Sequence, residues 1–261
     1  MRLRNKLLFA TIAVAMTGAF CVAPALAELG DVLHTIPCAG ANTADLAWVE
    51  GTLYQVIFAP TEERNIYQLD PATGAVLAVI PYAGGSPQGL AYDGEYLWQS
   101  DLSGDAIIKM DATTGAVIAE YPAPGDDPQA LGLGWDGASL WLADSRGPEK
   151  IWELDALCNP IGYYDAPGTS PYGLACGAGY IWVSDNNMSG GALIYQIDPD
   201  DGAIVDSFVC PDGGGSPNGI AHDGEFLWIA VNTNDTIYQV DDGLGVTVVH
   251  GVTWSRLKSL F

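Results

Sequence analysis

The chain has 261 residues, of which 49% are hydrophobic and 16% charged, with 32 Gly and 16 Pro. This composition is that of a globular protein and excludes collagen, a coiled coil and a disordered acidic tail. Asp and Glu number 32 against 9 Lys and Arg, a formal net charge of −23, so we expect neither nucleic acid nor anionic lipid as a partner.

The first 27 residues have the three parts of a secretory signal peptide. A basic start (MRLRNK) precedes an apolar run over residues 7–22, and the small-residue site Ala25-Leu26-Ala27 follows. We predict cleavage after Ala27 and a mature protein that is secreted or periplasmic. A retained membrane anchor is the weaker alternative, because an apolar run of 16 residues is shorter than the ~20 that a spanning helix needs. No other apolar run is long, so we expect no membrane span.

An exported chain folds in an oxidising compartment, where its cysteines can pair. Four cysteines remain after cleavage: Cys38, Cys158, Cys176 and Cys210. Three pairings are possible, and the sequence leaves them open, together with the alternative of buried free thiols. No Cys-x-x-Cys motif occurs, so a structural zinc site is not expected.

A unit of about 43 residues repeats along the chain, and its clearest copy is the segment SPQGLAYDGEYLW, residues 86–98. One marker of the unit is an aromatic residue that recurs at Tyr54, Trp98, Trp141, Trp182 and Trp228. A second marker is the aspartate that ends an apolar-alternating run, at Asp70, Asp111, Asp155, Asp198 and Asp241. Two independent markers with the same period predict five structural units.

Each unit contains four short runs of strand character that are separated by turn signals. The first turn is an Asp-Gly pair in three copies: Asp93-Gly94, Asp136-Gly137 and Asp223-Gly224. Glycine adopts the positive φ that such tight hairpins require. Four antiparallel strands every ~40–45 residues predict an all-β protein, a five-bladed β-propeller of four-stranded blades. In this setting the repeated tryptophan is expected to pack in the core between blades.

The N-terminal strand is predicted to close the ring. Residues 30–38 (GDVLHTIPC) match residues 202–210 (GAIVDSFVC), the outermost strand of the fourth unit, and the fifth unit lacks such a strand of its own. Pairing the two ends removes an exposed sheet edge. The alternative is that residues 245–249 supply the strand. We assign residues 1–27 to the signal peptide, 28–243 to the propeller and 244–261 to a C-terminal extension, either a docking element or a turn packed on the rim, and expect a monomer.

Candidate ligand-binding residues cluster at one face of such a propeller. The starts of the innermost strands supply Asp45, Gln88, Gln129, Tyr172 and Asn218. The ends of the second strands supply Asp101, Asp144, Asp185 and Asn232. Carboxylate and amide oxygens suit Ca²⁺, so these residues predict a polar-ligand site with Ca²⁺ as a candidate cofactor. The alternative is that the repeating aspartates cap loops by accepting backbone N–H groups. Asp45 breaks the repeat and is therefore the most informative of the set.

The segment SPQGL at residues 86–90, the five units and the export signal resemble the secreted glutaminyl cyclases of plants and bacteria, the glutamine cyclotransferase family of five-bladed propellers. The unit pattern is also similar to that of streptogramin lyases and NHL-type propellers. The cyclotransferase resemblance implies a Gln-Gly-Leu strand followed in the next blade by Glu-Gly-Leu, whose Glu is an acid/base candidate. Gln88-Gly89-Leu90 matches the first, whereas the second reads Gln129-Ala130-Leu131-Gly132-Leu133 and has no carboxylate.

Catalytic motifs are otherwise scarce. The three histidines are scattered, and no G-x-S-x-G motif occurs. We therefore predict a secreted binding or interaction module for a small polar ligand or an extracellular protein. The alternative is a glutaminyl cyclase-like or lyase-like enzyme that uses Asp45, Gln88 and one of Asp101, Asp144 and Asp185.

Overall fold

The computed structural model describes residues 27–58, 65–186 and 191–245. Almost all of the predicted signal peptide, and the C-terminal extension beyond residue 245, lie outside the described residues. Within the described ranges, no helix has the length and apolar character needed to cross a membrane.

In the described ranges, twenty strands form five antiparallel sheets of four strands each. The chain begins with β1 (Val32–Pro37). Blade 1 consists of β2 (Thr43–Val49), β3 (Thr52–Ile57), β4 (Ile66–Leu69) and β5 (Val76–Ile80). Blade 2 consists of β6 (Pro87–Tyr92), β7 (Tyr96–Asp101), β8 (Ala106–Asp111) and β9 (Val117–Pro122). Blade 3 consists of β10 (Ala130–Trp135), β11 (Leu140–Asp144), β12 (Lys150–Leu154) and β13 (Pro160–Asp165).

Blade 4 consists of β14 (Pro171–Gly177), β15 (Tyr180–Asp185), β16 (Leu193–Ile197) and β17 (Ile204–Val209). Blade 5 contains β18 (Pro217–His222), β19 (Phe226–Val231), β20 (Thr236–Asp241) and, as its outermost strand, β1. The innermost strand of every blade contacts those of the two neighbouring blades, so the sheets form a closed ring. The predicted five-bladed propeller is confirmed.

The N-terminal strand closes the ring as predicted. β1 runs antiparallel to β20, with Val32 opposite Val240 and Pro37 opposite Thr236. The Gly30 backbone N–H extends the pairing by donating to the carbonyl of Asp241 at 2.9 Å. β1 thus occupies the edge of β20 that the alternative strand would have used, and that alternative falls mostly on residues 246–249, outside the described residues.

The hydrophobic core lies between the blades, in one cluster for each of the five seams. The repeated tryptophans Trp98, Trp141, Trp182 and Trp228 are all at most 2% exposed, so the prediction that they pack in the core is confirmed. Three of them also donate an indole N–H to the aspartate of the preceding Asp-Gly turn: Trp98 to Asp93, Trp141 to Asp136 and Trp228 to Asp223, at 2.7 to 2.8 Å. This bond explains why Asp and Trp recur at a fixed spacing.

The four described cysteines are free thiols, so the structure favours the alternative of unpaired cysteines. Burial raises the pKa of Cys38 to about 11 and the pKa values of Cys158 and Cys210 to about 12. A thiol that stays protonated is a poor nucleophile, so these cysteines act as small packing residues.

Candidate functional site

The propeller has two faces that differ in their chemistry. The mouth is the face formed by the starts of the innermost strands and the loops that lead into them. The opposite face contains the ends of the innermost strands and the turns that follow them. All nine residues predicted to bind a ligand or metal lie at or near the starts of innermost strands or the ends of second strands.

A glycine recurs at one register position of the innermost strands, at Gly89, Gly132, Gly173 and Gly219. Strand pairing fixes this register, because the residue two positions earlier faces the second strand: Pro87 faces Asp101, Ala130 faces Asp144, Pro171 faces Asp185, Pro217 faces Val231 and Thr43 faces Ile57. Blade 1 therefore has Asp45 where the other four blades have glycine. The glycines let neighbouring strands come close, and a Cβ at Gly219 would lie 2.8 Å from the Asp45 Cα.

Asp45 fills the centre of the hub with a fully buried carboxyl group. Its Oδ1 accepts the backbone N–H groups of Leu46 at 2.9 Å and Ile220 at 3.0 Å. Its Oδ2 accepts those of Leu90 at 3.0 Å and Leu133 at 3.4 Å. Burial raises the pKa of Asp45 well above 3.8, although the four N–H donors act to lower it. Asp45 thus joins four of the five blades inside the hub and has no exposed surface at the mouth.

Gln88 and Tyr172 form a bridge across the mouth. The Tyr172 hydroxyl on blade 4 donates to Gln88 Oε1 on blade 2 at 3.0 Å, which spans the position of blade 3 between them. Burial, together with the nearby Asp45, raises the pKa of Tyr172 to about 12, so its hydroxyl stays protonated. The structure therefore brings these two predicted residues together as a neutral hydrogen-bonded pair.

The other side of the mouth is a cluster of amides. Asn218 Nδ2 and Asn232 Nδ2 both donate to the carbonyl of Thr43, at 3.1 and 3.0 Å. Asn218 Oδ1 accepts from Asn186 Nδ2 at 2.7 Å and from the Ser216 hydroxyl at 3.1 Å. Asn186 was not among the predicted site residues, although its place directly after the second strand of blade 4 was a usable signal.

Asn232 Oδ1 is a buried acceptor that receives no hydrogen bond from any described residue. Buried polar atoms are almost always paired, so an acceptor of this kind at a mouth points to a donor from water or ligand. An N–H or O–H group of a water or ligand would satisfy this oxygen.

Gln129 does not occupy the position that we assigned to it. It lies one residue before β10, where its backbone N–H donates to Asp144 Oδ1 at 2.9 Å. The register places Leu131, which is 2% exposed, at the position of Gln88 in blade 2. Matching the Pro-Gln pairs of the two units therefore misplaced the strand start by two residues.

The aspartates at the ends of the second strands hold the loops that enter the innermost strands. Asp101 accepts the N–H groups of Gly85 at 2.9 Å and Ser86 at 2.6 Å. Burial raises the pKa of Asp101, but these donors and Ser103 outweigh it, and the net pKa is lowered. Asp144 accepts from Gln129 and, at 3.0 Å, from the N–H of Arg146. Asp185 is 3% exposed at the equivalent position of blade 4, and Gly168 packs against its carboxylate.

Calcium binding by Asp101, Asp144, Asp185 and Asn232 stays a prediction. In the described part of the chain, no three His, Cys, Asp or Glu side chains group closely enough to hold a metal ion. Loop N–H groups already donate to Asp101 and Asp144, so an ion would share these carboxylates with them. If calcium binds, the melting temperature should rise in millimolar CaCl₂ and fall back in EDTA; equal melting temperatures in the two solutions would remove the ion.

The fold is shared with several known proteins, although no family model and no curated protein matches the chain in sequence. A glutaminyl cyclase from Myxococcus xanthus is 17% identical over 82% of this chain and 97% of that chain, with a TM-score of 0.65. The PQQ-bound aldose sugar dehydrogenase of Streptomyces coelicolor is 14% identical over 84% and 99%, with a TM-score of 0.52. Virginiamycin B lyase from Staphylococcus aureus is 11% identical over 80% and 98%, with a TM-score of 0.47.

The suspected resemblance to glutaminyl cyclases is thereby confirmed at the level of the fold. Identities of this size show the fold alone, so the chemistry has to be inferred from the residues of this chain. The described mouth offers neutral amides and a hydroxyl. The side chains of Asp45, Asp101 and Asp144 lie near it and already accept backbone N–H groups.

Proposed function

We propose that this protein is a secreted propeller that binds a small polar ligand at its mouth and does not convert it chemically. The export signal in the sequence supports secretion. The amide cluster and the Gln88–Tyr172 bridge support a ligand recognised by neutral hydrogen bonds.

The observation that carries this proposal is the residue at the hub position of blade 3. The resemblance to cyclotransferases implies a glutamate in the blade that follows Gln88, and the register places Leu131 there. Leucine transfers no proton. The remaining hub carboxylate, Asp45, is fully buried with four N–H donors around it, so it cannot reach a substrate atom. General acid–base catalysis requires a titratable group within hydrogen-bond reach of the substrate.

The chemistry of the mouth indicates what the ligand presents. Asn232 Oδ1 needs an N–H or O–H donor, and amides pair well with a group that both donates and accepts. A primary or secondary amide meets both requirements. A peptide with an N-terminal glutamine is therefore a suitable first probe, and it is also the kind of substrate that a glutaminyl cyclase would convert.

The test combines binding and turnover on residues 28–261. We expect isothermal titration to detect the glutaminyl peptide while an ammonia assay detects no cyclisation. Asn232→Ala should weaken binding about five-fold, because a hydrogen bond is worth roughly 1 kcal/mol. The matched control is Glu120→Gln on the outer strand β9, which is exposed and distant from the mouth.

Two results would contradict the proposal. Ammonia release that Asp144→Asn abolishes would identify an enzyme. Binding that is equally strong in wild type, Asn232→Ala and Glu120→Gln would place the ligand away from the amide cluster, and no binding of any amide-bearing probe would exclude the ligand class.

A further inference from the structure

A groove of about 430 Å³ opens on the face opposite the mouth, at the seam where blade 5 meets blade 1. Its walls include His34, Trp48, Ala72, Asp223, Trp228 and Gln239. The Trp48 and Trp228 rings are stacked, with centroids 6.0 Å apart and planes inclined by 16°. Across the seam, His34 Nε2 of β1 in blade 5 lies 3.0 Å from the carbonyl of Ala72 in blade 1. The groove thus places one carboxylate, Asp223, beside the stacked indoles of Trp48 and Trp228.

Blade 2 shows what this combination of side chains binds. There the Lys109 ammonium lies 3.5 Å from Asp93 Oδ2 and 4.7 Å from the centroid of the Trp98 ring. It also lies 3.9 Å from the centroid of the Tyr96 ring. The attraction is both an ion pair and a cation–π interaction, which is strongest with tryptophan.

Blade 5 reproduces this arrangement without the lysine. Asp93 Oδ1 accepts from the N–H groups of Glu95 and Tyr96 at 2.9 and 2.6 Å, and Oδ2 from Trp98 at 2.8 Å. The corresponding distances from Asp223 to the blade 5 donors Glu225, Phe226 and Trp228 are 2.8, 2.7 and 2.8 Å.

The lysine is replaced by an amide. Lys109 is the partner of Trp98 across β7 and β8, and Gln239 is the partner of Trp228 across β19 and β20. Among the described residues, no Lys or Arg forms an ion pair with Asp223.

The other three blades lack one part of the arrangement. Blade 3 has Glu153 at the position of Lys109, so a negative charge replaces the positive one there. In blade 4 the Trp182 indole donates to the carbonyl of Gly177 at 3.4 Å instead of to an aspartate. Blade 1 has Tyr54 at the position of the tryptophan. Among the described blades, therefore, only blade 5 combines the aspartate and the indole with an uncharged residue at this position. That residue is Gln239, where blade 2 has Lys109 and blade 3 has Glu153.

We propose that this groove binds an alkylammonium group, whose nitrogen takes the place beside Asp223 and Trp228 that Lys109 takes beside Asp93 and Trp98. The ligand is a lysine side chain of a partner or a free primary amine, which share this chemistry. The net charge of −23 attracts such a cation from solution. The inference concerns the face opposite the mouth and does not depend on the function proposed for the mouth.

The test follows the Trp228 indole N–H in a two-dimensional ¹H–¹⁵N spectrum, assigned by its loss in Trp228→Phe. The probe is Nα-acetyl-lysine N-methylamide, and its Nε-acetylated form is the neutral control. We expect the charged probe alone to shift the resonance. Asp223→Asn should weaken binding about ten-fold, since it removes the ion pair and weakens the hydrogen bond that orients the Trp228 indole. Glu225→Gln removes the same charge from the same turn and should leave affinity within about two-fold, because Glu225 is exposed and does not line the groove.

Two further variants test the blade 2 analogy directly. Gln239→Lys should supply the ammonium from the protein itself and abolish binding of the probe, whereas Gln239→Met, of similar length and no charge, should retain it. Lys109→Gln should create a second site, seen as a new response of the Trp98 indole. No response of Trp228 to the charged probe, or an equal response to its acetylated form, would overturn the proposal, as would equal affinities of wild type and Asp223→Asn.

Comparing butylamine with a lysine-containing peptide separates the two sources of the ammonium group. A peptide that binds more tightly than butylamine indicates a partner's lysine, because the peptide backbone adds contacts along the groove. Equal affinities indicate a free amine. Both results support the site, and failure of both probes would overturn it without affecting the expectations for the mouth.

Discussion

Gly89→Ala is expected to prevent blades 2 and 3 from packing at the hub and to cost about 4 kcal/mol or more of unfolding free energy. A Cβ at Gly89 would overlap the carbonyl oxygen of Leu131 and lie 2.8 Å from the Leu133 backbone nitrogen. Both atoms belong to the backbone of β10, which cannot move without breaking the pairing of blade 3. Urea unfolding followed by circular dichroism measures the loss, and failure to recover folded protein is its extreme form.

The matched control is Gly162→Ala in the outer strand β13. No heavy atom lies within 4 Å of a Cβ built there, and its φ is not in the left-handed region. The alanine should be neutral or stabilising by about 0.5 kcal/mol, because it restricts the unfolded chain. A Gly89→Ala variant as stable as Gly162→Ala would show that the blades have more space at the hub than this packing allows.

The architecture was predictable because each unit repeats the same local turn and strand signals. The Asp-Gly turn, the buried tryptophan and the aspartate that binds its indole recur together in three blades, and the other two units keep the same spacing, so the copies reinforce one interpretation. The closing strand was predictable for the same reason, since residues 30–38 match an outermost strand and the fifth unit lacked one. Periodicity and turn chemistry are local properties, and the sequence displays them directly.

The interior of the hub was less predictable because it depends on contacts between blades. Asp45 was recognised as an exception to the repeat, but its position in the glycine register follows only from the strand pairing. Gln129 was misplaced because the Pro-Gln pair of blade 3 lies two residues earlier relative to its strand than that of blade 2. The better signal was the glycine itself: aligning Gly132 with Gly89 places Leu131 correctly at the hub.

Asp45→Leu is expected to destabilise the propeller by about 3 kcal/mol or more. The carboxyl group accepts backbone N–H groups from β6, β10 and β18, and leucine would leave these donors in a dry hub without acceptors. Each buried donor that loses its partner costs roughly 1–3 kcal/mol. Asp45→Asn keeps one acceptor oxygen and should lose about half as much. Urea unfolding at neutral pH measures both, and a leucine variant as stable as wild type would show that water or another acceptor replaces the carboxylate.

The free energy of unfolding that Asp45→Asn loses should depend on pH. This dependence reports whether burial or hydrogen bonding determines the pKa of Asp45. Burial raises the pKa of Asp45 in the folded chain above the 3.8 of an ordinary aspartate. Between these two values the folded chain holds the proton that the unfolded chain has released, so the contribution of Asp45 to stability is full below pH 3.8 and is lost as pH rises through the raised pKa. Asparagine does not titrate, and the deficit of Asp45→Asn should therefore be larger at about pH 3.5 than at about pH 7. A deficit that grows with pH would mean that the four N–H donors outweigh burial and that the hub is built around an ionised carboxylate.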